Sequence, residues 1–197
     1  MIVMNLINEA NELFLKKKFY DAIAKYEIIL ESQPNNLIAL NNKGYSFSKL
    51  RNYSKALTCY NECLEKNPRD KTVLINKISL FRKIGEFDKA LEICENLLKN
   101  NSNEMIVLYH KLRILKKLDR FSESNIICKE LLNIYPDNGD VLYDMASNFL
   151  KMGDDEKFLV TLEKAVNIIP TLKRKSKNNK EFKKFHNDKR FLKIILE

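Results

Sequence analysis

The residue types that carry out covalent or metal chemistry are few in this chain and are not grouped for it. Its two histidines, His110 and His186, lie far apart in the sequence. No nucleophile and base arrangement, glycine-rich phosphate loop or metal-ligand cluster can be read around them. Cys59 and Cys63, at i and i+4 of one helix, could share a metal ion, but no His or further Cys is placed to complete four ligands. Core packing is the reading for Cys63. No catalytic residue, metal or cofactor is therefore expected, and the chain reads as a non-enzyme. What recurs instead is hydrogen-bonding chemistry. Asn8, Asn42 and Asn76 are spaced by 34 residues, and His110 and Asp144 continue the column. Side-chain amides at regular spacing can donate to and accept from the backbone of an extended peptide.

A column of that spacing needs elements that repeat with it. Only four Gly and four Pro in 197 residues argue against an all-β chain, whose turns would need more of both. An all-α fold is expected. All four prolines, Pro34, Pro68, Pro136 and Pro170, fall at one position of a 34-residue frame, with Ser102 as the exception. A proline there enforces the turn after a helix has ended. The frame divides the chain without insertion into 3–36, 37–70, 71–104, 105–138 and 139–172. Phe19, Tyr53, Phe87 and Phe121 share position 17 of the frame. Asp155 breaks that series, and Phe158 replaces the small residue at position 20, so the fifth unit is the least regular. Gly85 and Gly153 occupy position 15, where a left-handed residue is often needed between helices, and Lys17 and Arg51 take that place elsewhere.

Within 37–70 the frame supplies Leu40, Gly44, Phe47, Tyr53, Ala56, Tyr60, Cys63 and Pro68 at positions 4, 8, 11, 17, 20, 24, 27 and 32. This pattern resembles a tetratricopeptide repeat, a pair of antiparallel helices that cannot bury its apolar faces without neighbours. The resemblance implies a right-handed α-solenoid of five 34-residue helix-turn-helix repeats. Positions 8 and 20 are expected to meet where the helices of a unit cross, as Ala10 with Ala22, Gly44 with Ala56, Ile78 with Ala90, Leu112 with Ser124, and Ala146 with Phe158. The last three pairs predict wider crossings. Cys94 and Cys128, at position 24, stand where Tyr26 and Tyr60 stand in the first two units, and read as reduced core residues.

In the family that the sequence resembles, first helices line a concave groove through positions 2, 5, 6, 9, 12 and 13. Carried over, the candidate groove comprises Ile7, Asn8, Asn11, Asn41, Asn42, Tyr45, Ile75, Asn76, Tyr109, His110, Arg113, Tyr143 and Asp144. The implied function is a protein-protein interaction scaffold that binds a peptide or partner helix. Family members that clamp a chaperone's terminal carboxylate need Lys and Arg at set positions. Ile7, Asn11, Asn42, Thr72 and Asn76 stand there, so only the two Asn positions match and that adaptor role is rejected. Lys49, Arg82, Lys83, Arg113, Lys116, Lys117 and Lys151 line positions 9, 12 and 13. They read by default as solvated helix ends, and otherwise as a wall suited to an acidic partner.

Beyond residue 172 the period fails. Residues 172–197 hold ten Lys or Arg against three acids, a net of +7 in a chain of +9. Phe182, Asn187, Asp188, Arg190 and Phe191 resemble a terminal segment that closes such arrays, so 173–197 is expected to cap the last unit, with 173–179 its least constrained part. The alternative for this segment is binding to nucleic acid or another acidic surface. The opening MIVMNLI reads as neither signal peptide nor membrane span, and a cytoplasmic protein with no membrane partner is expected.

Overall fold

The computed structural model describes residues 2–101 and 103–196, which leaves Ser102 outside the described residues. The chain is all-α, in the α-solenoid class, with no strand among the described residues. It divides into two compact units. The N-terminal unit holds α1 (Ile2–Leu15), α2 (Phe19–Ser32), α3 (Leu37–Lys49), α4 (Tyr53–Lys66), α5 (Lys71–Ile84) and α6 (Phe87–Asn100). In the C-terminal unit are α7 (Met105–Lys117), α8 (Phe121–Ile134), α9 (Gly139–Lys151), α10 (Asp155–Ile168), α11 (Thr171–Lys177), a 3-10 helix (Lys180–Phe185) and α12 (Lys189–Leu196).

Local chemistry sets these boundaries. The side chains of Asn36, Asn52, Asp70, Asn138 and Asp154 each accept from the backbone N–H three residues on, so they cap α3, α4, α5, α9 and α10. Part of the asparagine content is therefore spent on starting helices. Position 15 is left-handed in all five turns: Lys17, Arg51 and Asp119 have φ of 60°, 62° and 55°, beside 82° and 79° for Gly85 and Gly153. The three residues with side chains carry a strain there that glycine avoids.

Packing inside the units corrects the expected crossing. A Cβ added to Gly44 would meet Cys59 Cβ and Tyr60 Cε1, each at 2.9 Å, so position 8 lies against position 24 and the residue before it. The volumes at positions 8 and 24 complement each other. Ala10 and Gly44 go with Tyr26 and Tyr60, whereas Ile78 and Leu112 go with Cys94 and Cys128, and all eight are buried. A large residue on one helix is matched by a small one on the other, which keeps the interior close-packed.

The fifth helix pair departs from expectation too. Backbone approach is most extensive between α9 and α10, the reverse of a widened crossing. Gly139 allows it, because a Cβ there would meet Ile169 Cγ1 at 2.7 Å and the Ala165 carbonyl at 3.1 Å.

The basic C-terminal segment docks on this pair. Phe182, Phe185 and Phe191 are buried around Phe158, with ring centroids 4.8, 4.7 and 6.3 Å from it. Lys184 pairs with Asp155, and Arg190 makes a two-pronged contact with Glu156. Both irregularities of the fifth unit thus serve the segment: Phe158 supplies the ring that the phenylalanines surround, and Asp155 supplies a charge for Lys184. Residues 173–177, expected to be the least constrained, lie within α11, which runs across the 172/173 boundary. Ser176 of α11 is fully buried and donates to the Leu172 carbonyl at 2.8 Å.

Candidate functional site

In the N-terminal unit the first helices α1, α3 and α5 approach one another in sequence, while the second helices touch each other less. The first-helix side is consequently the inner face of this unit. Across it the asparagines form a ladder. Asn76 Nδ2 donates to Asn41 Oδ1 at 2.9 Å, Asn41 Nδ2 to Asn42 Oδ1 at 3.4 Å, and Asn42 Nδ2 to Asn11 Oδ1 at 3.1 Å. The Tyr26 hydroxyl, from α2, also donates to Asn11 Oδ1, at 2.8 Å. Every donation runs the same way, so Asn11 is left with its N–H groups and Asn76 with its carbonyl.

All four amides are half-buried, and Asn8 beside them is exposed. Ile7, Tyr45 and Ile75 are half-buried, with the Phe14 ring 5.2 Å from that of Tyr45. Tyr26 was legible only as a core aromatic. That its hydroxyl holds Asn11 depends on a neighbouring helix, for which the sequence carries no signal.

The corresponding positions of the C-terminal unit are occupied by the chain itself. Tyr109 OH accepts from Asn138 Nδ2 at 2.5 Å, and Asp144 forms an ion pair with Lys116. Tyr143, expected in the groove, is only 5% exposed. Its hydroxyl accepts from Asn179 Nδ2 at 3.2 Å, its ring lies 5.7 Å from Phe182, and Lys175 Nζ sits 4.3 Å from the ring centroid. The docked segment has claimed this side chain, so it leaves the candidate set. Ser147 and Lys151 are taken by Glu181 in the same way, at 3.4 and 2.8 Å. His110 is half-buried and Arg113 is exposed. Deeper, Asn148 is fully buried and donates to Ser124 Oγ and Asn125 Oδ1, while its own carbonyl has no partner among the described residues.

The four thiols are free and buried, and Cys63 Sγ lies 3.7 Å from the Leu37 carbonyl. Among the described residues no group of three or more His, Cys, Asp or Glu is placed to hold a metal ion. Burial pushes the Cys59 thiol up to about 11 and those of Cys63 and Cys128 up to about 12 from an ordinary 9.0. Unfolded thiols ionise first, so their contribution to stability is whole below pH 9.0 and is lost as pH rises through about 11 to 12. Melts should fall over that window, and less so after Cys59, Cys63 and Cys128 are changed to Ala. At pH 8 an alkylating reagent should modify the native protein far more slowly than the unfolded chain. Equal rates would contradict the burial.

A cleft of about 440 Å³ opens on the opposite side of the N-terminal unit, between α2 and α4, with Leu30, Leu40, Phe47 and Cys59 in its walls. Lys43 and Lys55 lie 5.9 and 5.4 Å from the Phe47 ring centroid, and Lys43 pairs with Glu27 at 3.0 Å. Its charges are matched within the chain, unlike the amide ladder's remaining donors and acceptors.

Comparison with known proteins points the same way as the packing. The family model described as a tetratricopeptide repeat matches residues 38–70. No curated relative matches by sequence. Among solved structures, a tetratricopeptide repeat protein from Parabacteroides merdae ATCC 43184 is similar at a TM-score of 0.81 and 18% identity, covering 89% of this chain and 70% of that one. MamA from Desulfovibrio magneticus RS-1 reaches 0.78 at 12% identity, covering 86% and 96%. YrrB, described as a tetratricopeptide repeat protein with an unusual peptide-binding site, reaches 0.70 at 20% identity, covering 84% and 85%.

Proposed function

Since the chain carries a tetratricopeptide repeat at 38–70 and has the fold of tetratricopeptide-repeat proteins, we propose that it is a non-enzymatic scaffold binding a peptide or partner helix of another protein. The proposed site is the inner face of the N-terminal unit, with Asn8, Asn11, Asn41, Asn42 and Asn76 as backbone partners and Ile7, Tyr45 and Ile75 as apolar contacts. The array is read as the five units 3–36 to 139–172 closed by 173–197. The amide ladder carries this reading. Its members hold one another in place, so a ligand backbone would meet donors and acceptors already oriented, at little ordering cost. The peptide-binding site described for YrrB supports the class of ligand. Four free buried thiols fit a reducing compartment such as the cytoplasm, and no helix among the described residues is long and apolar enough to cross a membrane.

Asn42→Ala and Asn76→Ala together should remove two rungs at a stability cost of roughly 1 kcal/mol each. Capture of binding partners from the native source should be lost, while circular dichroism stays helical. Partners retained by the double variant but lost on replacing Arg113, in the other unit, would overturn the assignment.

A further inference from the structure

The inner face of the N-terminal unit gathers cations without anions. None of the groove positions of α1, α3 and α5 carries Asp or Glu. Lys49 and Lys83 hold position 13 in successive repeats. Lys83 Nζ donates to Ser48 Oγ at 2.9 Å, and Lys49 Nζ lies 5.0 Å from the Tyr45 ring centroid. A hydroxyl and a ring face are weak counterparts for two ammonium groups. Burial, and after it the charge of Lys49, lowers the pKa of Lys83, and no carboxylate offsets them. The two lysines are thus close enough to repel each other across a partly desolvated surface.

The C-terminal unit treats its groove-side lysines differently. Lys151, also at position 13, is held by Glu181 at 2.8 Å, and Lys116 is held by Asp144. Where the chain has a carboxylate to give, these lysines take one. Nothing of that kind reaches Lys49 or Lys83, so their charge is left for a ligand.

We propose that Lys49, Lys83 and the Ser48 hydroxyl form an anion subsite beside the amide ladder, and that the segment bound there is an acidic peptide carrying a carboxylate into it. The inference rests on the peptide-binding reading and names its ligand class. Two ammonium groups and a hydroxyl offer charge-assisted hydrogen bonds to both oxygens of a carboxylate. Binding would also neutralise the Lys49–Lys83 repulsion, which a neutral or basic peptide would leave in place. The carboxylate can be an Asp or Glu side chain or a peptide C-terminus, and the test separates the two.

The probe is a display library of random octapeptides, made once with the randomised stretch internal and once with it at a free C-terminus. Both are selected on the full chain and on a Lys49→Gln, Lys83→Gln variant whose melt confirms that it is folded. Peptides selected on the full chain should be enriched in Asp or Glu at a constant register. Their affinity should drop about tenfold or more in the variant and weaken as salt rises. Enrichment from the internal library assigns a side-chain carboxylate, and enrichment confined to the C-terminal library assigns the terminal one. Selected peptides with no acidic bias, or bound equally by the variant, would overturn the anion subsite while leaving peptide binding intact. Failure of either library to yield any binder would instead overturn the peptide-binding reading itself.

Discussion

Gly44→Ile is expected to destabilise the protein by about 3 kcal/mol, the upper end of the usual cost of overpacking. A Cβ alone would come within 2.9 Å of Cys59 Cβ and of the Tyr60 ring. Cys59 Cβ is fixed to the α4 backbone and cannot rotate away, so α3 and α4 would have to separate. Better helix propensity than Gly offsets only a fraction of a kcal/mol of this. The decisive variant pairs Gly44→Ile with Tyr60→Cys, which imports the Ile78 and Cys94 combination. If volumes at positions 8 and 24 are coupled, Tyr60→Cys should recover part of the loss, and the double-mutant cycle should show a favourable interaction energy. Additive losses in denaturant titrations would show that the two positions do not share one space.

Phe182→Ala should cost about 3 to 5 kcal/mol within the C-terminal unit. The ring is fully buried, 4.8 Å from Phe158 and 5.7 Å from Tyr143, and the residues after it hold the rest of the segment on α10. Losing it should release the segment, uncover Phe158 and Leu162 of α10, and so promote self-association. Light scattering and a thermal melt would read both effects. Arg190→Ala, which removes an exposed contact to Glu156, should move the melt far less. A Phe182→Ala protein that stays monomeric with an unchanged melt would mean that the segment is a free basic tail, and its cations would then be candidates for a binding role.

The sequence by itself determined the helical state, the 34-residue spacing of helix starts and the left-handed turns. The second helices begin at Phe19, Tyr53, Phe87, Phe121 and Asp155, where the frame puts them. These are local properties: a proline after a helix, an Asn or Asp at its start and an amphipathic period each act within a few residues. The frame also showed which side of each first helix Asn8, Asn42 and Asn76 occupy, because residues at equal phase share a face.

Only the tertiary structure decided what those side chains meet. Asn42 and Asn76 reach Asn11 and Asn41 on neighbouring helices, whereas Tyr143, equally eligible by position, is buried under Phe182 and Asn179. It also decided why the fifth unit is irregular, since Asp155 and Phe158 are explained by Lys184 and the phenylalanines of a segment that follows the repeats. Gly44 looked like a partner for Ala56 until the offset of α3 against α4 set it beneath Tyr60. Spacing along one helix specifies direction, but a contact also needs the distance, offset and volume of the neighbouring helix. Those are settled when whole faces pack, and no single residue encodes them.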